Sequence, residues 1–331
     1  MSKTALVTGA SGQDGSYLIE LLVERGYKVH AQSRKPPASV DVTEAVFWHA
    51  GDISDGDFLE SLFENVSPDE IYNLAAITRP GLSWQYPEQT AILNGLVPQR
   101  ICEMLARTGS SCRLFQASTS EMFDGELGQA QSETTPFNPQ SPYGISKAFA
   151  HRTVGAFRKQ YGLHASCGIL FNHESPRRAL SFVSQKIAHA AAAISLGMRE
   201  TRELDERGQP IVLGGKLHLG NIHVRRDFGF AGDIAAAMHL IVTSDQPDDY
   251  TIGTGESRSI AQFCEQAFHC LGLHWQDHVV VDQALVRSID TPFTQADASK
   301  LAARLGWKPK ISFDALVEMM VSDRIRVLRG G

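Results

Sequence analysis

Apolar residues in the first half of the chain fall in short runs, separated by segments of helical period. Thr4-Ala5-Leu6-Val7 reads as a buried strand, and the segment after it puts Leu18, Leu21 and Leu22 on one helical face. Further strand-like runs occupy residues 27–31, 45–49, 70–74, 113–117 and 165–169. Strands alternating with helices imply right-handed crossovers and a parallel, doubly wound α/β sheet. Such a sheet collects its ligands beyond the carboxyl ends of its strands. After Phe171 the alternation weakens and polar loops lengthen. The expected division is a first domain over 1–171 with a return to the sheet at about 221–254. A smaller C-terminal α/β domain takes 172–220 and 255–331.

The length of 331 residues suits two domains, and 43% hydrophobic residues provide ample core. Acidic residues (37) and basic residues (31) are mixed, for a net charge of -6. That balance argues against nucleic acid as a partner, because phosphate contacts need clustered cations. No apolar run approaches the roughly 20 residues of a membrane span, and Met1-Ser2-Lys3-Thr4 does not begin a signal peptide. The expectation is a cytoplasmic protein. The 5 cysteines lack CxxC spacing and suit reduced thiols better than a disulfide framework or a metal site.

The turn after the first strand, Thr8-Gly9-Ala10-Ser11-Gly12-Gln13-Asp14-Gly15, spaces its glycines as GxxGxxG. Between a strand and a helix, that pattern lets backbone N–H groups and the helix dipole approach a pyrophosphate. The second strand runs out into Gln32-Ser33-Arg34-Lys35 with no acid at its tip, which favours NADP over NAD, since Arg34 can hold a 2′-phosphate. Asp52 and Ile53 follow the third strand, where a carboxylate can accept from an adenine amine. Leu74, Ala75 and Ala76 follow the fourth, where small residues let the backbone run beside the cofactor.

Tyr143-Gly144-Ile145-Ser146-Lys147 is a YxxxK motif whose spacing puts Tyr143 and Lys147 on one helix face. A neighbouring ammonium stabilises tyrosinate for proton transfer to and from a carbinol. Ser118-Thr119-Ser120-Glu121 adds a carboxylate at a strand end. A reductase or epimerase needs only the hydroxyl and the Tyr/Lys pair. Glu121 makes sense where a C–H next to a ketone must also lose its proton. A non-catalytic NADP-binding regulator would have no use for this set.

These stretches, together with Asn172-His173-Glu174-Ser175-Pro176-Arg177-Arg178 and Leu219-Gly220-Asn221 leading to Arg226-Asp227, resemble the GDP-mannose 4,6-dehydratases. That family belongs to the extended short-chain dehydrogenases/reductases, which have a Rossmann-type fold. The resemblance implies NADP held also by His173 and Arg178, and a homodimer, with a tetramer less expected because the segment after Arg34 is short. It implies that Tyr143, with Lys147 and Thr119, oxidises C4. Glu121, with Ser120 nearby, then removes the C5 proton and helps expel the C6 hydroxyl, before hydride returns to C6. Substrate contacts implied for a GDP-sugar are Arg79, Ser83, Asn172, Lys186, Arg226, Arg287 and Asp290. Two departures stand out. Thr78-Arg79-Pro80 replaces the family's Ser-His-Val, and residues 200–216 look like an insertion. A reductase, an epimerase, or a dehydratase for another nucleotide sugar are the alternatives.

Overall fold

The computed structural model describes residues 2–36, 44–125, 128–286 and 291–330. Six strands build the N-terminal half: β1 (Thr4–Thr8), β2 (Lys28–Ser33), β3 (Val46–Ala50), β4 (Glu70–Asn73), β5 (Arg113–Thr119) and β6 (Ala165–Leu170). With the edge strand Tyr250–Ile252 they form one sheet, ordered Tyr250–Ile252, β6, β5, β4, β1, β2, β3, with every neighbour parallel. The expected doubly wound α/β class is what the chain adopts. Strand order reverses between β1 and β4, and this opens a crevice at their carboxyl ends.

Both faces of the sheet are covered, so its central strands β1, β4, β5 and β6 are buried almost throughout. Helix α1 (Gln13–Glu24) buries Leu18 and Leu22 on one face, beside the helix Ala231–Thr243. The helices Gly56–Val66, Val97–Thr108 and Pro142–Tyr161 cover the other face. A second core gathers the helices Val183–Ser195, Ile260–His269 and Phe313–Leu328 against a small sheet of Val279–Val281, Lys216–Leu219 and Val212–Leu213.

Several boundaries differ from the sequence reading. β5 continues past Ala117, because Ser118 and Thr119 still pair with Ile169 and Leu170 of β6. Ile222, Val224 and Phe228, expected within the segment returning to the first sheet, pack in the second core. The return begins with the almost wholly apolar helix Ala231–Thr243, which contributes Ile234, Met238 and Ile241 to the first core. Leu301 and Trp307, expected in the second domain, also join the first core, and the Trp307 indole N–H donates to the Asp233 carbonyl (3.1 Å). Residues 200–216 leave the helix Val183–Ser195 and fold back through bridges between Leu204 and Pro210 and between Glu200 and Leu213. No described helix is long and apolar enough to cross a membrane. All five cysteines are free thiols.

Candidate active site

Two contiguous cavities of about 700 and about 270 Å³ lie at the carboxyl edge of the sheet, sharing Asp14, Leu74, Ala76, Thr78, Arg178 and Phe182. The larger runs over the glycine turn to the tip of β2. Gly9 sits at φ +64°, and a Cβ there would stand 2.8 Å from the Ala75 backbone. A Cβ on Gly15 would stand 2.6 Å from Ala10. Glycine is therefore required at both positions to bring β1, α1 and the end of β4 together. Gly12 caps α1 without a side-chain hydrogen bond, so the first N–H groups of the helix are open to an anion. The turn and its free donors fit a pyrophosphate.

Gln32, Ser33, Arg34 and Lys35 line the far end of this cavity together with Asp52 and Ile53. Burial raises the Asp52 carboxyl, but hydrogen bonds from Ser54 and the charge of Arg34 outweigh it and leave the group lowered. At the near end, Asp14 Oδ2 and His173 Nε2 lie 2.9 Å apart. Burial again opposes ionisation, yet the imidazole holds Asp14 down to about 2, and the carboxylate raises His173. Gln13 bonds the His173 carbonyl (3.1 Å) and the Ser175 hydroxyl (2.8 Å), tying α1 to the Asn172–Arg178 run.

The smaller cavity is lined by the residues expected to do acid/base work. The Ser141 side chain caps the helix Pro142–Tyr161, and Pro142 opens it, which sets Tyr143 in the first turn. Lys147 lies one turn on and donates to the Ala117 carbonyl (2.8 Å), which anchors the helix to the end of β5. Tyr143 shares a hydrogen bond with Thr119. Burial pushes the phenol up to about 12, with the Glu121 charge adding to the rise and Thr119 opposing it. Burial pushes the Lys147 ammonium down to about 8. Thr119 Oγ1 also accepts from the Glu121 N–H (3.3 Å), starting the short turn Ser120–Met122 that carries Glu121 to the cavity wall.

Three supporting residues were not singled out by sequence. A Cβ on Gly144 would stand 2.3 Å from the Glu121 carbonyl oxygen, so only glycine lets the tyrosine helix touch the glutamate turn. His151 continues the face of Tyr143 and Lys147 at the same four-residue spacing, and its Nδ1 meets the Ser118 hydroxyl at 2.9 Å; that repeat was the available signal. Phe182 lines both cavities beneath the Arg178 guanidinium, 3.5 Å from its ring centroid. No local pattern announces it.

Of the expected substrate contacts, Arg79, Asn172, Lys186 and Arg226 line the smaller cavity. Ser83 does not. It is fully buried behind the wall, where its hydroxyl donates to the Pro80 carbonyl (2.6 Å) and accepts from the Tyr143 N–H (3.1 Å). Its work is to register the Arg79 turn on the tyrosine helix. Arg287 and Asp290 lie outside the described residues.

A family profile described as GDP-mannose 4,6 dehydratase matches residues 6–320. The chain belongs to the GDP-mannose 4,6-dehydratase family. Enzymes of this family are hydro-lyases within the short-chain dehydrogenase/reductase group. GDP-mannose 4,6 dehydratase 1 of Arabidopsis thaliana is 41% identical, over 99% of this chain and 91% of that protein. The Homo sapiens relative is 36% identical over 98% and 92%. Among solved structures, the Thermotoga maritima UDP-glucose 4-epimerase with UDP-glucose shares 22% identity at a TM-score of 0.83, covering 98% of this chain and 99% of that one. A dTDP-glucose 4,6-dehydratase from Bacillus anthracis shares 20% at 0.83, covering 99% and 98%. At these identities the structures speak for the fold, and the relatives for the family.

Proposed function

We propose that this chain converts GDP-mannose to GDP-4-keto-6-deoxymannose, with NADP as its resident cofactor. The observation that carries the reading is the joint placement of Thr119, Glu121, Tyr143 and Lys147 on one cavity wall, in a chain of this family. Tyr143 takes the C4 hydroxyl proton, with Thr119 donating to the developing phenolate and Lys147 carrying positive charge one helical turn on. A nicotinamide dinucleotide held by the glycine turn and Asp14 would supply the two-electron sink and source that oxidation at C4 and reduction at C6 require. The 4-ketone acidifies C5–H, and Glu121 removes that proton and passes it to the departing C6 hydroxyl, which leaves as water. The proton held on Tyr143 is then available to C5, so the net change is loss of one water. Arg226 and Lys186 supply cations for the diphosphate, and the exposed Leu96, Ile145 and Phe149 favour a homodimer through that face.

Purified protein given GDP-mannose and substoichiometric NADP+ is expected to yield a product lighter by one water in mass spectrometry. Unchanged GDP-mannose alongside dehydration of another nucleotide sugar would shift the substrate reading to the Thr78-Arg79-Pro80 loop. No dehydration of any nucleotide sugar would reject the reaction.

For the cofactor, the support is the pair Arg34 and Lys35 at the end of β2, where an NAD site would carry an acid. Arg34→Ala is expected to lower the preference for NADP+ over NAD+ by about tenfold to hundredfold, the worth of a charge-assisted phosphate contact. The ratio of kcat/KM with the two cofactors measures it, and an unaltered ratio would remove Arg34 from the 2′-phosphate site.

A further inference from the structure

The insertion at 200–216 does more than lengthen a loop, because it delivers a carboxylate into the substrate cavity. Glu206 Oε2 lies 2.7 Å from the Lys186 ammonium, and both residues line the smaller cavity with Arg226, Gly220 and Asn221. The Lys186 side chain is only 9% exposed, while that of Glu206 is 46% exposed. A nearly buried ammonium needs a counter-anion. In the free chain, Glu206 is that anion. The pairing holds the Glu206 carboxyl lowered, against the opposing effect of its burial.

We infer that Glu206 is an internal stand-in for the substrate's diphosphate, and that its displacement from Lys186 sets how tightly the nucleotide sugar binds. This rests on the assignment of Lys186 to the diphosphate under the function proposed above. A diphosphate carries more charge and more acceptor oxygens than one carboxylate, so it outcompetes Glu206 for the ammonium. Once it is seated, two like charges would share one cation, and Glu206 must withdraw. Its half-exposed position gives it water to swing into. The backbone need not follow, because Asp205 accepts from the N–H groups of Arg207 (2.8 Å) and Gln209 (2.9 Å). Arg207 also reaches Asp282 across the small sheet (2.8 Å), and Glu203 faces His189 one turn along the same helix (3.4 Å). The turn therefore stays in place while one side chain rotates.

The test is titration calorimetry of GDP, inorganic pyrophosphate and guanosine into wild type and Glu206→Gln, which keeps the shape and removes the charge. GDP and pyrophosphate are expected to bind about threefold to fivefold more tightly to the variant, the range of a partly exposed ion pair. That gain should narrow as salt rises. The KM for GDP-mannose should fall in parallel with kcat within twofold, and guanosine affinity should not move. Weaker GDP binding by Glu206→Gln would mean that the carboxylate contacts the ligand directly, and would overturn the inference. Unaltered GDP affinity, or an equal gain for guanosine, would overturn it too. Lys186→Met separates the layers: unaltered pyrophosphate affinity there would reject both the Lys186 assignment and the inference. Failure of wild type to dehydrate GDP-mannose would reject the substrate alone, since the pyrophosphate comparison needs no sugar.

Discussion

In Glu121→Gln, water loss from GDP-mannose is expected to fall by about two to four orders of magnitude, the usual worth of a positioned acid/base group. Glutamine keeps the length and polarity of the side chain and removes its ability to take a proton. In the proposed reaction, C4 oxidation does not use that carboxylate. A stoichiometric mixture of variant, NADP+ and GDP-mannose should therefore still show absorbance of reduced cofactor in a single turnover, with no product lighter by water. Retention of the fast dehydration rate would remove Glu121 from the C5 step. Loss of cofactor reduction as well would place it in the first step instead. A small rise in the rate of reduction is also consistent with the structure, because the Glu121 charge helps to raise the phenol of Tyr143.

Lys147→Met is expected to lose activity by about two to four orders of magnitude while making the folded protein more stable at pH 7. The sign follows from burial. The folded chain gives up the Lys147 proton at about 8, whereas an unfolded chain holds it to the ordinary 10.5. Between those values the unfolded state binds more protons, so stability rises with pH. Below about 8 both states are protonated, and the folded state carries the whole cost of a buried ammonium, on the order of 3 kcal/mol. The bond to the Ala117 carbonyl, lost in the variant, offsets a fraction of that gain. Thermal unfolding of the cofactor-free proteins should show the variant melting higher at pH 7 and the difference shrinking towards pH 10. A variant that melts lower at pH 7 would show that Lys147 supports the fold as well as the chemistry.

Much of this site can be read from the chain, because its parts are local. The glycines at 9, 12 and 15 sit within one turn, and Tyr143 and Lys147 within one helical turn. Thr119 and Glu121 follow a strand whose apolar run announces it. What escaped the reading depends on partners far away in sequence. Nothing near Ser83 says that its hydroxyl will hold the Tyr143 backbone, 60 residues on. Glu206 looks like any acid in a polar insertion until Lys186 is found beside it. The end of β5 was missed because Ser118 and Thr119 are polar, and only their pairing with β6 keeps them in the strand. Ile222, Val224 and Phe228 are apolar enough for either core, and the chain's path assigns them to the second.

The contact between Gly144 and the Glu121 carbonyl has a consequence for how the three chemical events are sequenced. The two segments meet there backbone to backbone, which keeps the first turn of the tyrosine helix close against the turn that carries Glu121. In the proposed reaction, a hexose bound beside that join offers C4 to the phenol and C5 to the carboxylate without turning over. The ketone made in the first event is then already within reach of the second proton acceptor. The intermediates accordingly have no reason to leave, and a ketone trap in the solvent should capture the 6-deoxy product but no 4-ketone that still carries its C6 hydroxyl.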